Sequence, residues 1–188
     1  MARILDVAQF IYNELGWVDA WRLEKLTYYA DSWFAAWYGE PLFDENFEAW
    51  VDGPVAPVLY HANKGRLSAM SQNLPGGDGT ALRSREKAAV SSVLDFYGAW
   101  TKEQLIEQTH QEEPWLEARA GLGKHARSNS VISKETTMRF YARCEAIGHR
   151  VPNRPFEGRP NWSAEDVRAA FEANTTRWAA AIELLADR

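Results

Sequence analysis

The chain has 188 residues, 46% of them hydrophobic and 25% charged, with a net charge of −5 and one cysteine. That balance excludes a disordered chain and fits one globular domain large enough to bury its own core. The lone Cys144 excludes an intramolecular disulfide and a multi-cysteine zinc site, and no run of about 18 apolar residues offers a membrane span.

Helical spacing dominates from the start. Ile4, Val7, Ala8, Ile11 and Leu15 form a stripe that Gly16 stops. Asp19 is placed to cap a second helix with Leu23, Leu26, Ala30, Trp33, Phe34 and Trp37 inside, ending at Gly39 before Pro41. Phe47 to Val51 reads as a short strand, Asp52-Gly53-Pro54 as a turn, and Pro54 or Pro57 as the start of a short helix through Leu59 and Tyr60. Residues 63–80 are rich in Gly, Ser, Asn and Pro. They read as a loop that lacks the Gly-Lys-Ser/Thr ending of a phosphate cradle.

Ala89, Val90, Val93, Leu94 and Tyr97 mark the next helix, and Thr101 with Gln104 forms a capping box for another. Pro114 suits the first turn of a helix containing Trp115 and Leu116. After a basic loop, Ser133 caps a helix bearing Met138, Tyr141 and Cys144, closed by Gly148. The expected organisation is a mainly α, compact single domain over 1–148, with a small β-hairpin near 44–53. A connector over 149–162 and a C-terminal helix over 163–188, packing on the domain, complete it.

Charge is unevenly spread. Residues 1–60 hold three basic groups against ten acidic ones, a balance of −7, while residues 119–159 hold nine against three, a balance of +6. An acidic face suits a basic partner and disfavours phosphates; the plainer reading is solvated helix faces. Five of the nine tryptophans fall in the first fifty residues. Most of these belong in a core, and any exposed one would mark a binding surface.

Several blocks in order go beyond generic helix: Leu23-x-Lys25-Leu26-x-Tyr28-Tyr29-Ala30-x-x-Trp33, Gly39-x-Pro41-Leu42-Phe43, and Glu48-Ala49-Trp50-x-x-Gly53-Pro54-Val55. Leu59-Tyr60, Tyr97-Gly98 and Thr109-His110-x-x-x-Pro114-Trp115 follow. Over roughly residues 5–145 this series resembles the Panacea-domain antitoxin family, the SocA-like and phage-associated proteins. The resemblance implies a protein that neutralises a cognate protein toxin by direct binding. One type of relative instead delivers its toxin to a ClpXP-type protease, so that protease is an implied alternative partner, as is a second copy of the chain in a homodimer. Asp31 stands where the family usually has Gln, and Thr27 where it usually has Leu.

Read as residues, those blocks are mostly architectural. Leu23, Leu26 and Trp33 share a core face. Tyr28 and Tyr29 are adjacent and point in different directions, so one is expected inward and the other free for a partner. Trp50 has two readings, core or apolar patch, and with Trp33 and Trp37 it is a candidate for the packed centre. Gly53 and Pro54 read as a turn leading to Val55. Lys25 reads as a buried salt bridge or a partner contact. The partner-binding set expected on this basis is Lys25, Tyr28, Tyr29, Trp50 and Asp31.

Catalysis finds little support. His61, His110, His125 and His149 form no His-x-x-x-His or His-Glu-x-x-His pair, so no metal or cofactor is expected. His110 with Glu112 and Glu113 is the best candidate for a general base, but the Thr109 to Pro114 stretch reads more simply as a helix end and a helix start. Cys144 has no His at helical spacing, so it reads as an inert thiol. Lys124, Arg127, Lys134, Arg139 and Arg143 keep a nucleic-acid-binding regulator as a further alternative, but no helix-turn-helix, RNP or zinc pattern accompanies them, so nucleic acid is not the expected partner. Met1 to Phe10 carries Asp6 and no leader-like apolar stretch, so a cytoplasmic location is expected.

Overall fold

A computed structural model describes residues 1–65, 73–123, 125–148 and 150–155, with residue 168. The chain divides into Met1–Pro155 and Phe156–Arg188, and the elements below all belong to the first unit. The C-terminal helix expected over 163–188, and most of the connector expected over 149–162, lie outside the described residues.

The described residues form seven helices and one small antiparallel hairpin: α1 (Ile4–Leu15), α2 (Ala20–Tyr38), β1 (Glu48–Trp50), β2 (Gly53–Val55), α3 (Pro57–Asn63), α4 (Ser84–Tyr97), α5 (Lys102–His110), α6 (Glu113–Ala118) and α7 (Lys134–Ile147). The caps are those that the local sequence asks for. The Asp19 carboxylate accepts from the Arg22 amide at 3.1 Å, Thr101 and Gln104 close a capping box, and Ser133 accepts from Thr136. Gly39 and Gly148 end their helices in the left-handed conformation.

Helix α2 is the hub. It packs against α1, α3, α4, α5, α7 and β2, and every residue from Leu23 to Ala35 is buried. Enclosed on every side over that stretch, the helix leaves no outward face there, which corrects the expectation for the tyrosine pair. Tyr28 is 2% exposed and Tyr29 0%. They do diverge in direction, but each direction ends in another element. Several buried polar side chains of α2 are satisfied locally or from neighbours, whereas the Tyr28 hydroxyl and the Trp37 indole N–H find no hydrogen-bond partner among the described residues. Thr27 donates to the Leu23 carbonyl and Ser32 to the Tyr28 carbonyl, both at 2.8 Å. Asp31 accepts from the Leu42 amide at 2.8 Å, fixing the turn after the helix.

The hairpin sits at 48–55, with Val51 and Asp52 as its two-residue turn and Trp50 paired to Gly53. The Gly53-Pro54 pair therefore belongs to a strand and not to the turn itself. Gly53 has φ +97°, and a Cβ there would lie 2.5 Å from Lys25 Cε and 2.7 Å from Thr109 Oγ1. Only glycine fits so close an approach of strand to helix. Residues 130–132 extend the sheet: the Ala49 amide donates to Ser130 O and the Ile132 amide to Phe47 O, both at 2.8 Å. Trp33 and Trp37 are core, but Trp50 is only half-buried, so it is not part of the packed centre.

Candidate functional site

The first turn of α2 carries Trp21, which falls off the apolar stripe and is 45% exposed. The adjacent hairpin brings Glu48, Trp50 and Asp52 to the same side, and α3 adds Tyr60, 37% exposed. These residues line one open groove of about 730 Å³, with Arg127 supplied by the loop before α7. Both indoles are tied to carboxylates of the hairpin. Trp21 donates to Asp52 at 3.2 Å and Trp50 to Glu48 at 2.7 Å. The Trp50 and Tyr60 rings lie 5.1 Å apart. Val55, buried, contributes to the apolar wall.

The groove also borders two buried charges, Glu24 and Lys25. The Glu24 carboxylate accepts from the Ala56 amide at 2.9 Å, and the Lys25 ammonium donates to the Pro54 carbonyl at 3.0 Å. Together they fasten the hairpin and the start of α3 to α2. This corrects the salt-bridge reading of Lys25: its hydrogen-bond acceptor is a backbone carbonyl. Burial pushes Glu24 up and Lys25 down, each towards its neutral form, and the opposite charge of each neighbour partly offsets the shift.

His110, Glu112 and Glu113 do not converge on a site. The half-buried His110 ring stacks on Trp115 at 4.1 Å, and burial lowers its pKa. Glu113 turns outward to Arg143 at 2.5 Å. Glu112 goes inward, accepting from Tyr141 at 2.6 Å, Gln108 at 3.1 Å and Tyr29 at 3.3 Å. Thr109 is fully buried against the hairpin, and Pro114 opens α6. Trp115 donates its indole N–H to the Trp50 carbonyl at 3.1 Å, joining α6 to the back of the groove. On α7, burial raises the Cys144 thiol, away from the reactive thiolate.

Of the residues expected to meet a partner, Trp50 opens onto the groove, and Lys25 lines it while turned to Pro54. Tyr28, Tyr29 and Asp31 are buried elsewhere along α2. Sequence reading missed Trp21, Glu48, Asp52 and Tyr60. Trp21 had a readable signal: a tryptophan off the core stripe, two residues past a cap. The other three needed the hairpin and α3 to be folded beside it. The groove presents ring faces and carboxylate acceptors, which is recognition chemistry. Among the described residues no group of three or more His, Cys, Asp and Glu is placed to hold a metal ion. No helix among them is long and apolar enough to cross a membrane.

The family model described as "Antitoxin SocA-like, Panacea domain" matches residues 23–116, half of the chain. The match takes in most of α2, the hairpin, α3, α4 and α5. Trp50 and Tyr60 lie inside it, whereas Trp21 and Arg127 lie outside. No characterised protein and no solved structure gives a significant match.

Proposed function

This chain belongs to the family of SocA-like antitoxins built on the Panacea domain, and from that premise we propose that it neutralises a cognate protein toxin by binding it directly at the Trp21–Trp50–Tyr60 groove. The observation that carries the location is the exposure of Trp21 beside two further aromatic rings. Binding hot spots are rich in tryptophan and tyrosine and few in number, and exposed apolar side chains gathered in one patch mark an interaction surface. The acidic balance of residues 1–60 supports a basic partner, met in the cytoplasm.

The test is co-expression with the product of the adjacent gene. The expected result is relief of its toxicity and recovery of the two proteins as a complex. Trp21→Ala combined with Trp50→Ala should abolish both effects while the protein keeps its helical circular dichroism. A harmless neighbour, or one that copurifies with nothing, removes the antitoxin reading. Full rescue by the double variant moves the binding surface elsewhere.

A further inference from the structure

We infer that the groove receives an arginine side chain of the partner protein, held against the ring faces of Trp21, Trp50 and Tyr60 with Asp52 and Glu48 as its counter-charges. The inference rests on the groove being where the partner docks, and it adds the chemistry recognised there.

Three observations carry it. The first is the pairing of each indole N–H with a carboxylate, Trp21 with Asp52 and Trp50 with Glu48. An anionic acceptor on the indole N–H pushes electron density into the ring and strengthens its attraction for a cation. Each carboxylate keeps further acceptor sites beyond the one the indole uses. The second is that Trp21 already holds a cation within its own chain, since the Lys102 ammonium lies 4.8 Å from its ring centroid. Arg119 does the same over Trp115 at 4.9 Å.

The third observation is the charge of the groove. Glu24, Glu48 and Asp52 line the groove against Lys25 and Arg127, and the Lys25 ammonium donates to the Pro54 carbonyl. Residues 1–60 as a whole carry −7. A guanidinium fits this set better than an ammonium because it is planar, weakly hydrated, and able to stack and donate to carboxylates at once.

The experiment follows the indole N–H resonances of Trp21 and Trp50, assigned with Trp21→Phe and Trp50→Phe. The probes are the blocked peptide acetyl-Gly-Arg-Gly-amide and its neutral citrulline counterpart. The arginine peptide should shift both signals saturably, and the citrulline peptide should bind at least tenfold more weakly. Asp52→Asn with Glu48→Gln should erase that preference. Equal shifts by both peptides, or none by either, overturn the inference. If the double variant does not fold, the comparison of the two peptides on the wild-type protein decides alone. In the toxin assay the two readings separate. A wild-type protein that fails to rescue while still selecting arginine overturns the antitoxin role alone. A folded double variant that rescues as well as wild type overturns the arginine contact alone.

Discussion

The Tyr29 hydroxyl lies 3.3 Å from the Glu112 carboxylate, joining residues eighty-three positions apart in the chain. Tyr141 donates to the same carboxylate at 2.6 Å, and Tyr29 stacks on Tyr97 at 4.1 Å with the rings nearly parallel. The Trp33 indole in turn donates to the Tyr97 hydroxyl at 3.3 Å. One acidic side chain at the start of α6 thus ties α2 to α7, and the Tyr29 ring carries the link on to Tyr97 of α4.

Because Glu112 is buried with no cationic partner among the described residues, burial pushes its pKa up to about 7, against the pull of its hydrogen bonds. Burial pushes Asp31 up to about 6, against the pull of the Leu42 amide and of Lys134. A carboxyl whose folded pKa is raised favours folding fully below its unfolded pKa and loses that contribution as pH rises through the folded value. Stability should therefore fall between about pH 4.5 and 7, by a few kcal/mol at ~1.4 kcal/mol per pKa unit. Glu112→Gln should remove part of that slope, with Asp31 and Glu24 carrying the rest, and raise the urea midpoint at pH 8. A variant as pH-dependent as wild type would show that Glu112 is not the titrating group.

Gly53→Ala should be disproportionately destabilising for one methyl group. The backbone there is at φ +97°, and the new Cβ would overlap Lys25 and Thr109. Strain of this kind costs about 1–3 kcal/mol before any clash is counted. Thermal melting should place it well below Gly121→Ala, whose Cβ meets nothing within 4 Å. Equal losses at the two positions would mean that the hairpin has room to move away from α2.

Tyr29→Ala and Trp21→Ala should separate folding from binding. Truncating the buried Tyr29 removes a packed ring and a hydrogen bond to Glu112, a loss of about 3–5 kcal/mol. Truncating Trp21, 45% exposed, should leave the melting temperature within a few degrees while lowering toxin rescue. Melting and rescue measured on both variants check this. A Trp21 variant that melts as early as the Tyr29 variant places Trp21 among the structural residues instead.

Arg119→Lys should not be conservative. The buried guanidinium donates to the carbonyls of Ala49 at 2.9 Å and Ala126 at 2.7 Å, and lies over the Trp115 ring. A lysine cannot span these acceptors from one planar fork. The expected signature is lower thermal stability with faster amide exchange in the loop at 125–130.

Arg127→Ala tests the charge of the groove. Removing this cation should speed association with a basic partner severalfold and leave dissociation nearly unchanged, because exposed charges act mainly on the encounter. Raising salt should shrink the difference, since screening sets in beyond ~8 Å at physiological ionic strength. An association rate indifferent to both the substitution and salt would remove electrostatic steering.

What the sequence settled by itself was local. Asp19, Thr101 and Ser133 cap their helices and Gly39 and Gly148 end theirs, because each of these signals acts within a few residues along the chain. The ordered blocks around Lys25, Trp50 and Trp115 were likewise enough to reveal the family. The tertiary structure decided what each side chain faces. An apolar stripe shows where α2 must be buried, but not that neighbours also cover its remaining faces, so Tyr28 and Tyr29 could both vanish from the surface. Trp50 was ambiguous, because whether a large ring meets protein or water depends on how the hairpin lies against α2. The acceptor for Lys25 and the donors around Glu112 come from distant segments, and no spacing along a chain encodes which of them will be within 3.5 Å.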